Sequence, residues 1–146
     1  DRLLDPAARV GTSTPKADPA GDYTWQLFER IEQQGRAGAF AKLSSKALQI
    51  TGGPNALPVP EGRNAYGALL VQGKADLFVT YCTNATAAVL EEPTLAVTAL
   101  PASVNVATRY GVTVLNGAAP AATRWVDFLL GPQGQAVLGR LGFGRP

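Results

Sequence analysis

The stretch Gly11-Thr12-Ser13-Thr14-Pro15-Lys16-Ala17-Asp18-Pro19-Ala20-Gly21-Asp22-Tyr23 reads as the end of a strand, a polar loop and the start of a helix. Asp18 suits a helix N-cap, because its short carboxylate can accept from N–H groups of the first turn. Pro19 suits the first helical position, where no N–H is needed. Hydroxyls crowd the loop at Thr12, Ser13 and Thr14, and small residues, Ala20 and Gly21, fill the first turn. The first N–H groups of a helix have no intrahelical partner, and the helix dipole concentrates partial positive charge there. Ala20 and Gly21 carry no bulk to keep a tetrahedral oxyanion from the backbone. Two readings fit the stretch: an ordinary capped helix after a turn, or an anion cradle with Ser13 or Thr14 within reach.

Working outward, residues 9–12 form a short buried strand, and residues 1–9 form a proline-broken connection. The helix opened by Asp18 runs to about Gln34, with Trp25, Phe28 and Ile31 or Glu32 at helical spacing, and Gly35 and Gly38 end it. A second short helix is expected over 40–48, a strand over 48–51 and a glycine- and proline-rich loop over 52–62. Residues 64–72 read as a helix with Ala65, Tyr66 and Leu69 inward, stopped by Gly73. Residues 75–81 are apolar enough for a strand covered on both faces, and 83–90 fit a helical turn or two. Further strands are expected over 95–100 and 111–115. Residues 119–130 read as an amphipathic helix with Trp125, Phe128 and Leu129 inward, and 132–141 as a final helix capped by Gly142. Helices alternating with short apolar strands predict an α/β layer structure, a mixed sheet flanked by helices on both faces.

Composition narrows the function. The 146 residues suffice for one domain with a sizeable core, and 46% hydrophobic against 16% charged content describes a lightly charged globular chain. The net charge of +2 comes without a basic cluster, which argues against nucleic acid. Histidine is absent, so imidazole-based metal sites and Ser–His or Cys–His catalysis are excluded within this chain. Cys82 is the single cysteine, so no intrachain disulfide forms, and it reads as a small buried side chain at a strand end. No apolar run approaches a membrane span. No signal-peptide pattern is present, so an exported parent is expected to have had its leader trimmed or left out. The sequon-like Asn84-Ala85-Thr86 is too common a tripeptide to carry weight.

Few residues invite chemistry. Tyr81 ends a strand, where open α/β sheets place ligands, and its phenol is a neutral donor; a core tyrosine with its hydroxyl at the surface fits equally well. Asp18 and Asp22 are explained by capping and dipole complementarity. Glu91-Glu92-Pro93 reads as a solvated turn, and Arg109-Tyr110-Gly111 as structural. No pair has the nucleophile-and-base logic of an active site, so the chain is not expected to be an enzyme.

The Asp18–Tyr23 segment resembles the "DPAG-Y" segment of the molybdate-binding proteins that serve ABC importers. Three later segments agree, in order: Gly73-Lys74-Ala75-Asp76-Leu77-Phe78-Val79-Thr80-Tyr81-Cys82-Thr83-Asn84-Ala85, Ala107-Thr108-Arg109-Tyr110-Gly111-Val112-Thr113-Val114, and Gly131-Pro132-Gln133-Gly134-Gln135 through Gly142-Phe143. The resemblance covers essentially the whole chain but matches only the later part of the family sequence. It implies a periplasmic-binding-protein-like lobe of type 2. Residues 1–115 would be the second ligand-binding lobe with hinge remnants, and residues 116–146 helices that return to a first lobe with no counterpart here.

The resemblance also implies a site. The backbone N–H of Ala20, with Gly21 beside it, and the hydroxyl of Tyr81 would bind the oxyanion, and a second backbone donor falls on Arg63, at the helix start with Asn64. The family has an apolar residue where Arg63 stands, and the Arg63 side chain is expected to face solvent. The loop before Pro19 is longer and richer in hydroxyls than in the best-known members, which leaves room for Ser13 or Thr14. The implied ligand is molybdate or tungstate, with no cofactor and no metal site. The implied partner is an ABC permease of the inner membrane, and the place is the periplasm. Such a chain carries about half a site, and its exposed faces favour dimers through the cleft or swapped final helices. An alternative is the ligand-sensing domain of a transcription regulator with the same fold.

Overall fold

The computed structural model describes residues 2–145. They divide into two compact units, the first running to Val106 and the second beginning at Ala107.

The first unit is built on a three-stranded parallel sheet of order β2-β1-β3: β1 (Val10–Ser13), β2 (Leu48–Thr51) and β3 (Leu77–Phe78). All four residues of the central β1 are buried, as expected of a strand covered on both faces. The α/β class read from the sequence holds. The connection from β1 to β2 carries α1 (Pro19–Gln33) and α2 (Ala39–Lys46), and that from β2 to β3 carries α3 (Ala65–Val71). These crossovers run in opposite directions along the sheet. Right-handed connections therefore place α1 and α2 on one face and α3 on the other. After β3 comes α4 (Cys82–Glu91), packed on α3.

Helix α1 begins where its sequence dictates. Asp18 is extended, with φ −140° and ψ 125°, its carboxylate accepts the Ala20 N–H at 3.0 Å, and Pro19 is the first helical residue. Leu27 and Phe28 of α1 and Leu43 of α2 form the core, with Trp25, Ile31, Phe40 and Val79 packed around them. At the other end of the sheet, Arg9 holds Asp76. Its guanidinium donates at 2.6 and 3.2 Å and its backbone N–H at 2.8 Å, which pulls the Asp76 carboxyl down to about 2.

Two expected strands are not strands. Residues 95–100 and 111–115 pair with no neighbour among the described residues, and Val97, Val112 and Leu115 are exposed. Both segments are short and apolar, but a strand exists only where another edge takes its N–H and C=O groups. Leu100, Val104 and Val106 instead lay irregular backbone against the Phe28 core. The expected strand over 75–81 shortens to Leu77–Phe78. Cys82 is exposed at the start of α4, not buried at a strand end.

The second unit is a helical hairpin of α5 (Pro120–Leu130) and α6 (Pro132–Arg140). The Gln135 side chain donates to the Leu129 carbonyl at 2.8 Å across the turn. Of the three α5 residues expected inward, Leu129 is half-buried. Trp125 and Phe128 stack on each other at 5.4 Å yet stand 58% and 41% exposed. A hairpin of two short helices has too little surface to cover both sides of α5. No helix among the described residues is long and apolar enough to cross a membrane.

Candidate functional site

Ligands of open α/β sheets bind beyond the carboxyl ends of the strands, where the strand order reverses. Here that point lies between β1 and β3. Ser13 and Thr14 lead out of β1, Thr51 ends β2, and Thr80 and Tyr81 follow β3. Of the named candidates, Ser13 ends β1, Thr14, Ala20 and Gly21 follow it, Arg63 and Asn64 open α3 after β2, and Tyr81 opens α4 after β3.

Backbone register arranges the hydroxyls. β1 and β2 pair Gly11 with Leu48 and Thr12 with Gln49, then skip Ile50, so that Ser13 pairs with Thr51. The skip brings the two hydroxyls to 2.9 Å. Thr51 Oγ1 lies 3.5 Å from the Thr12 carbonyl, and Tyr66 Oη lies 3.5 Å from Ser13 Oγ. One proton assignment serves all three contacts: Tyr66 donates to Ser13, Ser13 to Thr51 and Thr51 to Thr12. Ser13 is fully buried, so its proton is directed inward, beneath the site. Thr14 is half-buried, and its N–H and hydroxyl both donate to the Thr51 carbonyl, at 3.0 and 3.1 Å.

The helix starts are already served by the chain itself. The Ala20 N–H goes to the Asp18 carboxylate, and the Gly21 N–H to the Asp18 carbonyl at 2.9 Å. Gly21 is glycine for packing. A Cβ there would lie 2.4 Å from the Thr14 carbonyl carbon and 2.5 Å from the Pro15 nitrogen. The loop thus lies directly on the first turn of α1.

At α3, Asn64 is the N-cap, with its side-chain oxygen accepting the Gly67 N–H at 3.0 Å. Its backbone N–H donates to both oxygens of Glu91, and the Arg63 guanidinium holds Glu91 and Glu92. The Asn64 N–H and the guanidinium hold the Glu91 carboxyl below its ordinary range, and Arg63 is raised in turn. Glu91 is exposed, as the expected solvated turn implies, and both carboxylates are in addition tied to Arg63. Arg63 is exposed, and its charge is spent on that pair.

Tyr81 is half-buried and caps α4 with extended backbone, φ −66° and ψ 149°. Its ring meets that of Tyr23 edge to face, with centroids 6.1 Å apart. Four contributors escaped the sequence reading: Thr51, Tyr66, Tyr23 and Glu91. Thr51 was signalled by its place at a strand end. Tyr23 was signalled by its spacing of three from Ala20, which puts both on one helix face. Glu91 had no local signal, because its partner lies 27 residues away. No cluster of carboxylate and thiol groups suited to a metal ion occurs among the described residues.

A parallel α/β lobe with hydroxyls and helix starts gathered at its strand ends defines a ligand-binding class of protein. The family model for bacterial extracellular solute-binding proteins matches residues 1–144, and the chain belongs to that family. It is 40% identical over 128 residues to "Uncharacterized protein PM1146" of Pasteurella multocida (strain Pm70), an alignment covering 88% of this chain and 51% of that protein. The chain thus spans about half the length of this curated relative. No solved structure matches it. The family is one of solute binding for transport, outside the cytoplasm, and its members as a class are not enzymes.

Proposed function

We propose that this chain is the oxyanion-binding lobe of a periplasmic protein that captures molybdate or tungstate and delivers it to an ABC permease in the inner membrane. The observation that carries the reading is the meeting of the α1 start and the β3–α4 junction at the sheet's switch point, with Ala20 on one side and Tyr81 on the other. Backbone N–H groups and a phenol hold a tetrahedral dianion as neutral donors. A hydrogen bond to a charged group contributes about 1.5–3 kcal/mol, so several convergent donors suffice without a lysine or arginine. In this reading the ligand replaces Asp18 as the anionic acceptor of the Ala20 N–H. Cavity size separates molybdate and tungstate from sulfate, whose charge and shape are alike.

The alignment covers 51% of the relative. In this reading the lobe supplies about half of the donors, and this chain alone binds the oxyanion weakly or not at all. The uncovered apolar side of α5 suits residues 116–146 as helices that return to an earlier lobe, with residues 1–115 forming the present one. Between copies of this chain the same surface promotes dimers, which sedimentation at high concentration tests.

Thermal unfolding in millimolar molybdate, tungstate, sulfate and phosphate tests the function, because a ligand that binds only the folded form raises the midpoint by mass action. A rise with molybdate and tungstate but not sulfate is expected. Equal responses to all four anions, or none, would sink the selectivity and the oxyanion reading respectively.

A further inference from the structure

Resting on the oxyanion reading, we propose that Tyr23 is a positioning residue: its ring sets the direction of the Tyr81 hydroxyl through an edge-to-face contact. The centroids lie 6.1 Å apart with the planes at 65°, and both rings are half-buried. Aromatic rings favour this arrangement because the positive edge of one meets the negative face of the other. Tyr23 stands on the first turns of α1, three residues beyond Ala20 and on the same helix face. Tyr81 stands at the entry to α4. The ring pair therefore bridges the two pieces of backbone that flank the switch point, and it couples the Ala20 donor to the Tyr81 donor.

The Tyr81 ring turns about two side-chain bonds, and the Tyr23 ring packed against it limits those rotations. The Tyr23 hydroxyl has no part in this. The contact needs the ring alone, and Tyr23→Phe preserves it.

The test is a set of four variants of this chain: Tyr23→Phe, Tyr23→Leu, Tyr81→Phe and the double variant Tyr23→Leu/Tyr81→Phe. Unfolding midpoints are followed across a tungstate titration into the millimolar range and without anion. Tyr23→Phe is expected to bind as the parent does, and Tyr23→Leu about five-fold more weakly. In the Tyr81→Phe background, Tyr23→Leu is expected to cost no further affinity, although it lowers the anion-free midpoint equally in both backgrounds. A merely structural Tyr23 would weaken binding alike in both. That result, or an unchanged affinity in Tyr23→Leu, overturns the inference and leaves the oxyanion reading standing. No response of the parent to any oxyanion overturns both. Should Tyr23→Leu fail to fold, Tyr23→Met fills the same space without a ring and takes its place.

Discussion

Both oxygens of the Glu91 carboxylate accept the backbone N–H of Asn64, at 3.0 and 2.9 Å, although 27 residues separate the two. The last residue of α4 thereby closes the first turn of α3, and Arg63 reinforces it from the side. Helix starts attract anions, and this one has found its anion within the chain. Any anion drawn to this helix start competes with a tethered carboxylate.

Glu91→Gln is therefore expected to lower the unfolding midpoint at neutral pH by a few degrees at most, since the pair is exposed. The sign of its pH dependence follows from the Glu91 carboxyl being held below its ordinary value, first by the Asn64 N–H and then by Arg63. Its contribution is present above the unfolded carboxylate range and is lost as pH falls through the folded value. Midpoints of parent and variant measured across acid pH should converge at the acid end. A constant difference at every pH would refute the assignment.

Asp76 gives a second titration with a defined window. Hydrogen bonds from the Arg9 side chain and backbone hold it at about 2, below an unperturbed value of about 3.9. Because the folded value is the lower one, the stabilisation is complete above about 4 and drains away as pH falls toward 2. Asp76→Asn is expected to remove the part of the acid transition that lies in this window. If variant and parent lose stability in parallel between pH 4 and 2, the Arg9–Asp76 clamp is not what titrates.

What the sequence disclosed follows the range of the interactions involved. The start of α1 was legible because Asp18, Pro19, Ala20 and Gly21 act within one turn, through a cap and a fixed φ. The β1, α2 and β2 positions were legible from short apolar or helix-forming runs set off by glycine- and proline-rich breaks. The strands expected over 95–100 and 111–115 failed because a short apolar run reports a preference, while pairing depends on an edge elsewhere in the chain. Trp125 and Phe128 had the helical spacing of core residues, but spacing does not say whether anything covers the face they share. Tyr81 and the α1 start were singled out as candidates by strand-end logic and by motif, and the structure places both at the carboxyl ends of the strands. The Ser13–Thr51 contact depends on a skipped residue in β2, which leaves no mark in composition.

Gly21 separates a glycine kept for packing from one kept for conformation. Gly21→Ala would drive its Cβ to 2.4 Å from the Thr14 backbone, which has no rotamer to yield. The cost is expected at the upper end of the roughly 1–3 kcal/mol typical of overpacking. Gly11→Ala makes an equally short contact, 2.5 Å, but with the Phe78 ring, a side chain that can swing away. Denaturant unfolding should rank Gly21→Ala as the more damaging. The reverse order would mean that the loop over α1 is softer than its contacts suggest.

Asp18 does two jobs that substitution can separate. As N-cap it accepts the Ala20 N–H, and Asn serves that purpose nearly as well, whereas Ala costs about 1 kcal/mol. As a charge it stands where the proposed dianion must come, and like charges at that distance repel. Asp18→Asn is therefore expected to unfold close to the parent in the absence of anion, yet to show a larger midpoint rise in millimolar tungstate. Asp18→Ala should start from a lower midpoint and also gain in its response. Unfolding curves of the three proteins with and without tungstate decide the matter. A response in Asp18→Asn no larger than that of a responding parent would remove the oxyanion from the α1 start and point to Tyr81 and the β3–α4 junction alone.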